Sequence, residues 1–480
     1  ALYLSSFIVA VARYMSSIVT LCRAAVPLGV ALPAVRLAND LHHNITLQVA
    51  GHLFGLFVIA TCAHSLLAEK RPPVRDLTEF YLLLSVGGAL GGVFNALLAP
   101  VLFNGIWEYA IALVLAALAA WPGKAILDSH NWKDRLVPDA QDLFLAMAAL
   151  AAVIAAKPAL EYLGISNLTV IAAFRFGVPL IICVAAAPVQ KRFLVVISLL
   201  MLFPHLGLMS SRKTLFTDRS FFGLLRVQYQ PLESGHWVQL WHGSTVHGMQ
   251  HSSEELRNEP ATYFSRSSPL GRVLESDYAL EISDVAIVGL GAGTMAAYGL
   301  PHWKMSYFEI DPAVVKIASD SQFFTYLRDS AARIEYVLGD ARLKLAKRPD
   351  ASYDVIIIDA FSSDAIPVHL ITMEAVELYM RKLRPHGVLL AHLTNRYLTL
   401  LPLAASLTAE LGLSGLGCID SNISPEEALN GKYASRWAVI SRDAAIIGQL
   451  QLPSYCKPLS DLPAVRPWTD GYSNIMSVLK

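Results

Sequence analysis

The chain has 480 residues, with 38 Lys and Arg balancing 38 Asp and Glu; 16% are charged and 54% hydrophobic. A soluble chain carries nearer a quarter charged residues, and the deficit is uneven: residues 1–210 are a series of apolar runs, whereas 211–480 have ordinary soluble composition. This excludes a single soluble domain, a disordered chain and a nucleic-acid binder acting through bulk positive charge.

In chain order, the first 35 residues are apolar around Arg13 and Arg23 and hold one or two membrane spans. Clear spans follow at 47–67, 79–101 and 105–122, then near 141–157, 167–189 and 193–210. Most approach the ~20 residues that cross a hydrocarbon layer; the 141–157 run is short and fits a re-entrant or tilted segment. The count is seven or eight. Gly87, Gly88, Gly91 and Gly92 sit four apart, a spacing that predicts close approach of another helix. Arg13, Glu108 and Arg175 lie at or near membrane depth, where ionisable groups pair, snorkel or line a path.

Three loops are basic: Lys70, Arg71 and Arg75; Lys124, Lys133 and Arg135, diluted by Asp128 and Asp134; and Lys191 with Arg192. The positive-inside rule puts all three in the cytoplasm. Alternation through an eighth span would then leave the soluble part outside, whereas a nucleoside co-substrate calls for it inside. The expectation is a multi-pass inner-membrane protein with a cytoplasmic catalytic domain. The chain starts at Ala1 with no charged n-region, so no cleavable signal peptide is read. The five cysteines show no C-x-x-C pair and read as small buried side chains, not as a disulfide framework. No metal spacing is present among the His and Cys.

The expected domains are a transmembrane helical region 1–210, a small β-rich subdomain 215–270 and an α/β domain 271–480. In the second, "RSFFGLLRVQY" and "HWVQLWHG" alternate as strands about a turn at Pro231–Gly235. The third opens with "DVAIVGLGAG", an apolar strand running into Gly289, Gly291 and Gly293, with a helix expected next. A second strand ends at Glu309, 16 residues after Gly293. A glycine turn followed by an acid at the next strand end suits a ribose-bearing ligand. "RIEYVLGD" ends at Asp340 and "YDVIIIDAF" at Asp359; "HGVLLAHL" and "YASRWAVISR" are further strands, with helices near 312–329, 368–383 and 402–411 between them. The pattern predicts a doubly wound, Rossmann-like α/β domain with a mostly parallel sheet.

In such a sheet the ligand lies beyond the carboxyl ends of the strands, beside Glu309, Asp340 and Asp359. Three acids, with no Lys or Arg in the glycine turn, argue against a di- or triphosphate. They favour a ribose, an adenine amine and a positive centre, which describes S-adenosylmethionine or its decarboxylated form. Asp359 and Asp364 flank the loop "DAFSSDAIP". Two carboxylates there can attract a polycation and take a proton from an amine, which must be neutral to attack carbon.

These residues resemble the spermidine synthase family of polyamine aminopropyltransferases, in its integral-membrane form. The stretches that carry the resemblance are "LTEFYLLLSVGGALGGVFNALLAP" (77–100), "HGSTVHGMQ" (242–250), "GLGAGTMAAY" (289–298), "YFEIDP" (307–312), "GDAR" (339–342), "YDVIIIDAFSSDAIPVHLIT" (353–372) and "PWTDGYSNIMSVL" (467–479). The resemblance implies a methyltransferase-type fold and an aminopropyl transfer from decarboxylated S-adenosylmethionine to an amine such as putrescine, with the nucleoside as co-substrate and no tightly bound cofactor. It implies that Gln250 touches the nucleoside, Glu309 the ribose, and Asp340 with Ala341 the adenine. Asp359 would be the base, Asp364 the second acid of the loop, and Tyr263 would face the substrate. His247 is a further substrate-site candidate.

Two departures stand out. Soluble spermidine synthases have a GGGDGG-like turn, but this chain has GLGAG with Ala292 at the aspartate position, and Phe264 follows Tyr263 where the family places His or Gln. Both remove polar contacts to charged amines. Two alternatives therefore stay open: a methyltransferase using S-adenosylmethionine on a membrane-associated acceptor, and a polyamine or nucleoside sensor or transporter. The expected partners are a small amine, the lipid bilayer and a second copy of the chain in a homodimer, but no nucleic acid, since no basic stripe with interleaved aromatics occurs.

Overall fold

A computed structural model describes residues 1–39, 45–121, 137–206, 212–232, 235–360 and 367–480. The chain divides into two compact units, Ala1–Ser210 and Ser211–Lys480.

The first unit is helical: Leu2–Val11, Ser16–Ala38, Ile45–Glu69, Leu77–Val93, Trp107–Ala119, Ala140–Tyr162, Leu168–Ala186 and Gln190–Leu202. Leu77–Val93 continues through one π-helical turn, Phe94–Leu98, into Ala99–Leu102. Among the described residues, five segments are long and apolar enough to cross a membrane. The segment expected to be short is one of them, because Ala140–Tyr162 carries on for 23 residues through Pro158. Asp139 and Asp142 close a capping box at its start, satisfying N–H groups that a helix end leaves open. Asp142 is fully buried and takes Lys191 at 3.2 Å and Arg192 at 3.1 Å. The third basic loop is thus ion-paired. The loop with Lys124, Lys133 and Arg135 lies outside the described residues, as does the side chain of Arg13. Arg175 donates to the carbonyl of Val153 at 3.2 Å, a structural use.

Gln190–Leu202 supplies core to this unit, with Phe193, Val196, Ile197 and Leu200 fully buried. The close helix contact is elsewhere than expected. A Cβ at Gly87, Gly88, Gly91 or Gly92 would meet nothing within 4 Å, and no residue of Leu77–Val93 is buried. A Cβ at Gly55 would lie 2.4 Å from the carbonyl oxygen of Gly29. The tight approach therefore joins Ser16–Ala38 to Ile45–Glu69 through one glycine from each.

The second unit opens with four antiparallel strands in sequential order: β1 (Lys213–Ser220), β2 (Gly223–Leu232), β3 (Gly235–His242) and β4 (Thr245–His251). The run "RSFFGLLRVQY" is not one strand but the β1–β2 hairpin, turned at Phe221 and Phe222.

The main sheet has eight strands: β5 (Asp284–Val288), β6 (Lys304–Glu309), β7 (Arg333–Leu338), β8 (Tyr353–Ile358), β9 (Leu383–His392), β10 (Ser414–Asp420), β11 (Ser435–Ser441) and β12 (Cys456–Pro458). Their spatial order is β12-β10-β11-β9-β8-β5-β6-β7. The pairs from β7 through β9 are parallel, and β11, β10 and β12 add antiparallel strands. This is a mixed α/β sheet of the Rossmann-like, methyltransferase type. Residues Val285–Val288 and Val355–Ile358 are almost wholly buried, as expected for strands covered on both faces. Each buried Val or Ile contributes about 1.5–3 kcal/mol relative to exposure.

Two expectations are corrected. No α-helix follows the glycine turn; a single 3-10 segment, Thr294–Tyr298, takes its place. Cys418 and Cys456 form a disulfide. They sit opposite each other in the antiparallel β10–β12 pair, a proximity that their separation of 38 residues does not reveal. Cys22, Cys62 and Cys183 are free and buried, as expected.

Candidate functional site

The chain leaves β5 to pair on one side with β6 and on the other with β8. The carboxyl end of β5 is therefore a switch point, where open α/β sheets form their ligand crevice. Three backbone bonds knit this rim: Asp359 N–H to the Val288 carbonyl (2.8 Å), Gly289 N–H to the Phe308 carbonyl (2.9 Å), and Gly339 N–H to the Glu309 carbonyl (2.9 Å). Glu309, Asp340 and Asp359 thus share one edge.

The glycine turn is required by the protein's own packing. Gly289, at φ +99°, leaves a Cβ no room, since the Asp359 carbonyl oxygen would be 2.3 Å away. Gly291, at φ +54°, faces the His247 carbonyl at the same distance. Only glycine fits a positive φ against backbone. Gly293 (φ +80°) packs on Leu327. Ala292 is buried, and its N–H donates to the His247 carbonyl at 3.3 Å. The second glycine of the turn is therefore covered by β4.

Glu309 is buried, with Oε2 accepting from Leu290 N–H (3.0 Å) and Oε1 from Asp311 N–H (2.9 Å). Burial raises its pKa against these bonds, which lower it. The acid thus shapes the turn as well as facing the rim. Asp340 caps helix Ala341–Ala346 by accepting from Leu343 N–H at 2.8 Å. Its other oxygen lies 3.1 Å from His369 Nε2. Ala341 is buried beneath it.

Asp359 follows β8 directly. Its side chain is 10% exposed, and Oδ1 lies 2.6 Å from His392 Nδ1. Burial pushes its pKa up, while the hydrogen bond from His392 pulls it down. His392 ends β9 and was not singled out in the sequence. β8 and β9 are parallel with Ile358 opposite Ala391, so the next residues, Asp359 and His392, stand side by side. The His392 ring packs against Tyr263 (centroids 4.3 Å) and Trp437 (4.6 Å).

The remaining candidates divide. Tyr263 donates its hydroxyl to the Val246 carbonyl at 3.1 Å, holding β4 beside His392. His247 is half-buried, and its Nε2, itself buried, has no hydrogen-bond partner among the described residues. Burial, with His242 and His392 nearby, pushes its pKa down to about 3, so it is neutral at ordinary pH. Thr294 Oγ1 is likewise buried and unpartnered among the described residues. It lies near Gly248, the residue after His247. Gln250 has its amide committed within the protein: Nε2 donates to the Arg257 carbonyl (2.7 Å) and Thr325 Oγ1 (3.0 Å), and Oε1 accepts from Thr325 N–H (2.8 Å). It pins β4 to the loop before Tyr326. Asp364 lies outside the described residues.

No family model matches the chain. Over 113 residues it is 35% identical to a polyamine aminopropyltransferase of Vibrio vulnificus (strain CMCP6), a match covering 22% of this chain and 36% of the relative. The chain thus spans about a third of the length of the curated relative it matches. Among solved structures it is similar to spermidine synthase from Thermotoga maritima, at 18% identity over 52% of this chain and 81% of the other, with a TM-score of 0.35. It is also similar to a probable spermidine synthase from Corynebacterium glutamicum ATCC 13032, at 17% identity over 55% and 97%, TM-score 0.35. A third is human methyltransferase-like protein 13 in complex with SAH, at 21% identity over 42% and 92%, TM-score 0.28. At these scores the fold is read from the chain's own strand order.

Proposed function

We propose that this chain is a membrane-anchored transferase that uses an S-adenosylmethionine-type donor, and specifically an aminopropyltransferase. It would move the aminopropyl group of decarboxylated S-adenosylmethionine to a small amine such as putrescine and release methylthioadenosine. The observation that supports it best is Asp359: a carboxylate at the central switch point, 2.6 Å from a histidine, in a chain that shares 113 residues at 35% identity with a polyamine aminopropyltransferase.

In this reading Glu309 accepts the ribose hydroxyls and Asp340, with Ala341, faces the adenine. Asp359 takes one proton from the acceptor ammonium. The freed nitrogen lone pair forms the new N–C bond, the C–S bond breaks, and its electron pair neutralises the sulfonium. Asp364 would hold the acceptor's second charge. The long apolar helices of the first unit support a reaction carried out at a membrane.

A second reading, methyl transfer from S-adenosylmethionine, is favoured by Ala292. At the position where the resemblance calls for an acid, a buried methyl group stands beside the neutral His247. Calorimetry on the purified full chain separates the two. S-adenosylmethionine, its decarboxylated form and methylthioadenosine are titrated with and without putrescine. Tighter binding of the decarboxylated donor, with putrescine turnover, supports aminopropyl transfer. Preference for S-adenosylmethionine without amine turnover overturns it in favour of the second reading.

A further inference from the structure

Asp359 alone is an awkward base, because a buried carboxyl resists ionisation. The structure supplies it with a partner on the adjacent strand. His392 Nδ1 lies 2.6 Å from Asp359 Oδ1, and His392 Nε2 lies 2.6 Å from Thr394 Oγ1. The Thr394 hydroxyl already accepts from Arg436 N–H at 2.8 Å. The Asp359 carboxylate can only accept, so the imidazole proton sits on Nδ1 and is donated to it, and Nε2 is left to accept from the Thr394 hydroxyl. Packing against Tyr263 and Trp437 fixes the ring plane.

We propose that His392 is a positioning residue for Asp359: its Nδ1–H holds Oδ1, keeps the carboxylate ionised, and leaves Oδ2 to take the acceptor's proton. The inference rests on the reading of Asp359 as the base. The proton that Oδ2 takes goes on to solvent once the thioether has left. Thr394 acts one step further out, by keeping Nε2 as an acceptor. Among the described residues, the titratable side chains facing the pair are His247 from β4 and Tyr263. On β11, Trp437 is the register partner of His392, so Arg436 points to the opposite face of that strand.

The test uses the full chain with His392→Phe, which removes the donor, and His392→Gln, which retains an N–H. Thr394→Val serves as a milder variant should His392→Phe fail to fold. Two quantities are followed against pH: the infrared carbonyl stretch of a protonated buried carboxyl group, identified by its loss in an Asp359→Asn background, and the acid limb of kcat/KM for the amine. Loss of a charge-assisted hydrogen bond moves a carboxyl by about one to two pH units. In His392→Phe both should move upward by that amount, with His392→Gln near the parent and Thr394→Val between. An infrared titration identical in all four proteins overturns the proposal, whatever the activity. An infrared shift in a parent that turns over no amine leaves the His392 contact standing and removes the aminopropyl reading.

Discussion

On helix Leu77–Val93, Cβ atoms added at Gly87, Gly88, Gly91 and Gly92 would meet nothing within 4 Å. At the end of β5, Cβ atoms at Gly289 and Gly291 would lie 2.3 Å from backbone carbonyls, with φ positive at both. Both clusters are regular in sequence, yet only the second is demanded by the fold. The difference lies in what surrounds each backbone. In the sheet, three strand ends and β4 converge on the turn, whereas the glycine face of the helix has no neighbour among the described residues. Spacing marks where a close approach is allowed; a partner element decides whether it happens.

That contrast can be broken by substitution. Gly291→Val combines a disallowed φ with a clash against backbone, each worth about 1–3 kcal/mol. It should lower the melting temperature of the full chain and abolish donor binding by calorimetry. Gly55→Leu, the matching change inside the helical unit, should cost about 1–3 kcal/mol by overpacking against Gly29. It should be read as a fall in melting temperature with donor affinity unchanged.

The polar lining near the glycine turn adds a pH signature. The buried Nε2 of His247 leaves its pKa pushed from 6.5 to about 3. Between these values the unfolded chain binds a proton that the folded one does not. This residue therefore removes stability as pH falls through that window, by about 1.4 kcal/mol per pH unit at most. His247→Gln should flatten the decline in melting temperature below pH 6.5 relative to the parent. An unchanged slope would mean that the ring is not held neutral. The smallest effect is expected for Gly88→Leu, within about 0.5 kcal/mol; a large fall in melting temperature would reveal a helix partner for that face.

Much of the α/β unit was legible because its signals are local. The acids Glu309, Asp340 and Asp359 each close an apolar run, and β5, β6 and β8 are buried runs bounded by turn residues. What escaped depends on strand order. His392 becomes Asp359's neighbour only once β9 is placed beside β8 in register. Cys418 meets Cys456 only once the short β12 pairs with β10, and the run 414–420, interrupted by Gly415 and Gly417, gave no strong strand signal of its own. Gly29 and Gly55 were passed over for the more regular stripe because helix pairing is not written in one helix. Gln250, expected on resemblance to touch the nucleoside, also has its amide bonded to Arg257 and Thr325, a contact between distant segments. Helix Ala140–Tyr162 runs past the expected 141–157 because Pro158 is accommodated within it.

The central claim is that Asp359 is the base of an amine transfer at the switch point of the sheet. It is tested most directly by Asp359→Asn, which keeps the shape and removes the charge. Donor affinity is measured by calorimetry and turnover by steady-state kinetics, with decarboxylated S-adenosylmethionine and a panel of di- and triamines. The account predicts donor affinity within a few fold of the parent and turnover lower by about 10²–10⁴, the range for lost acid–base catalysis. Full turnover in Asp359→Asn, in a parent that does transfer to amines, would contradict it and place the base elsewhere on the rim.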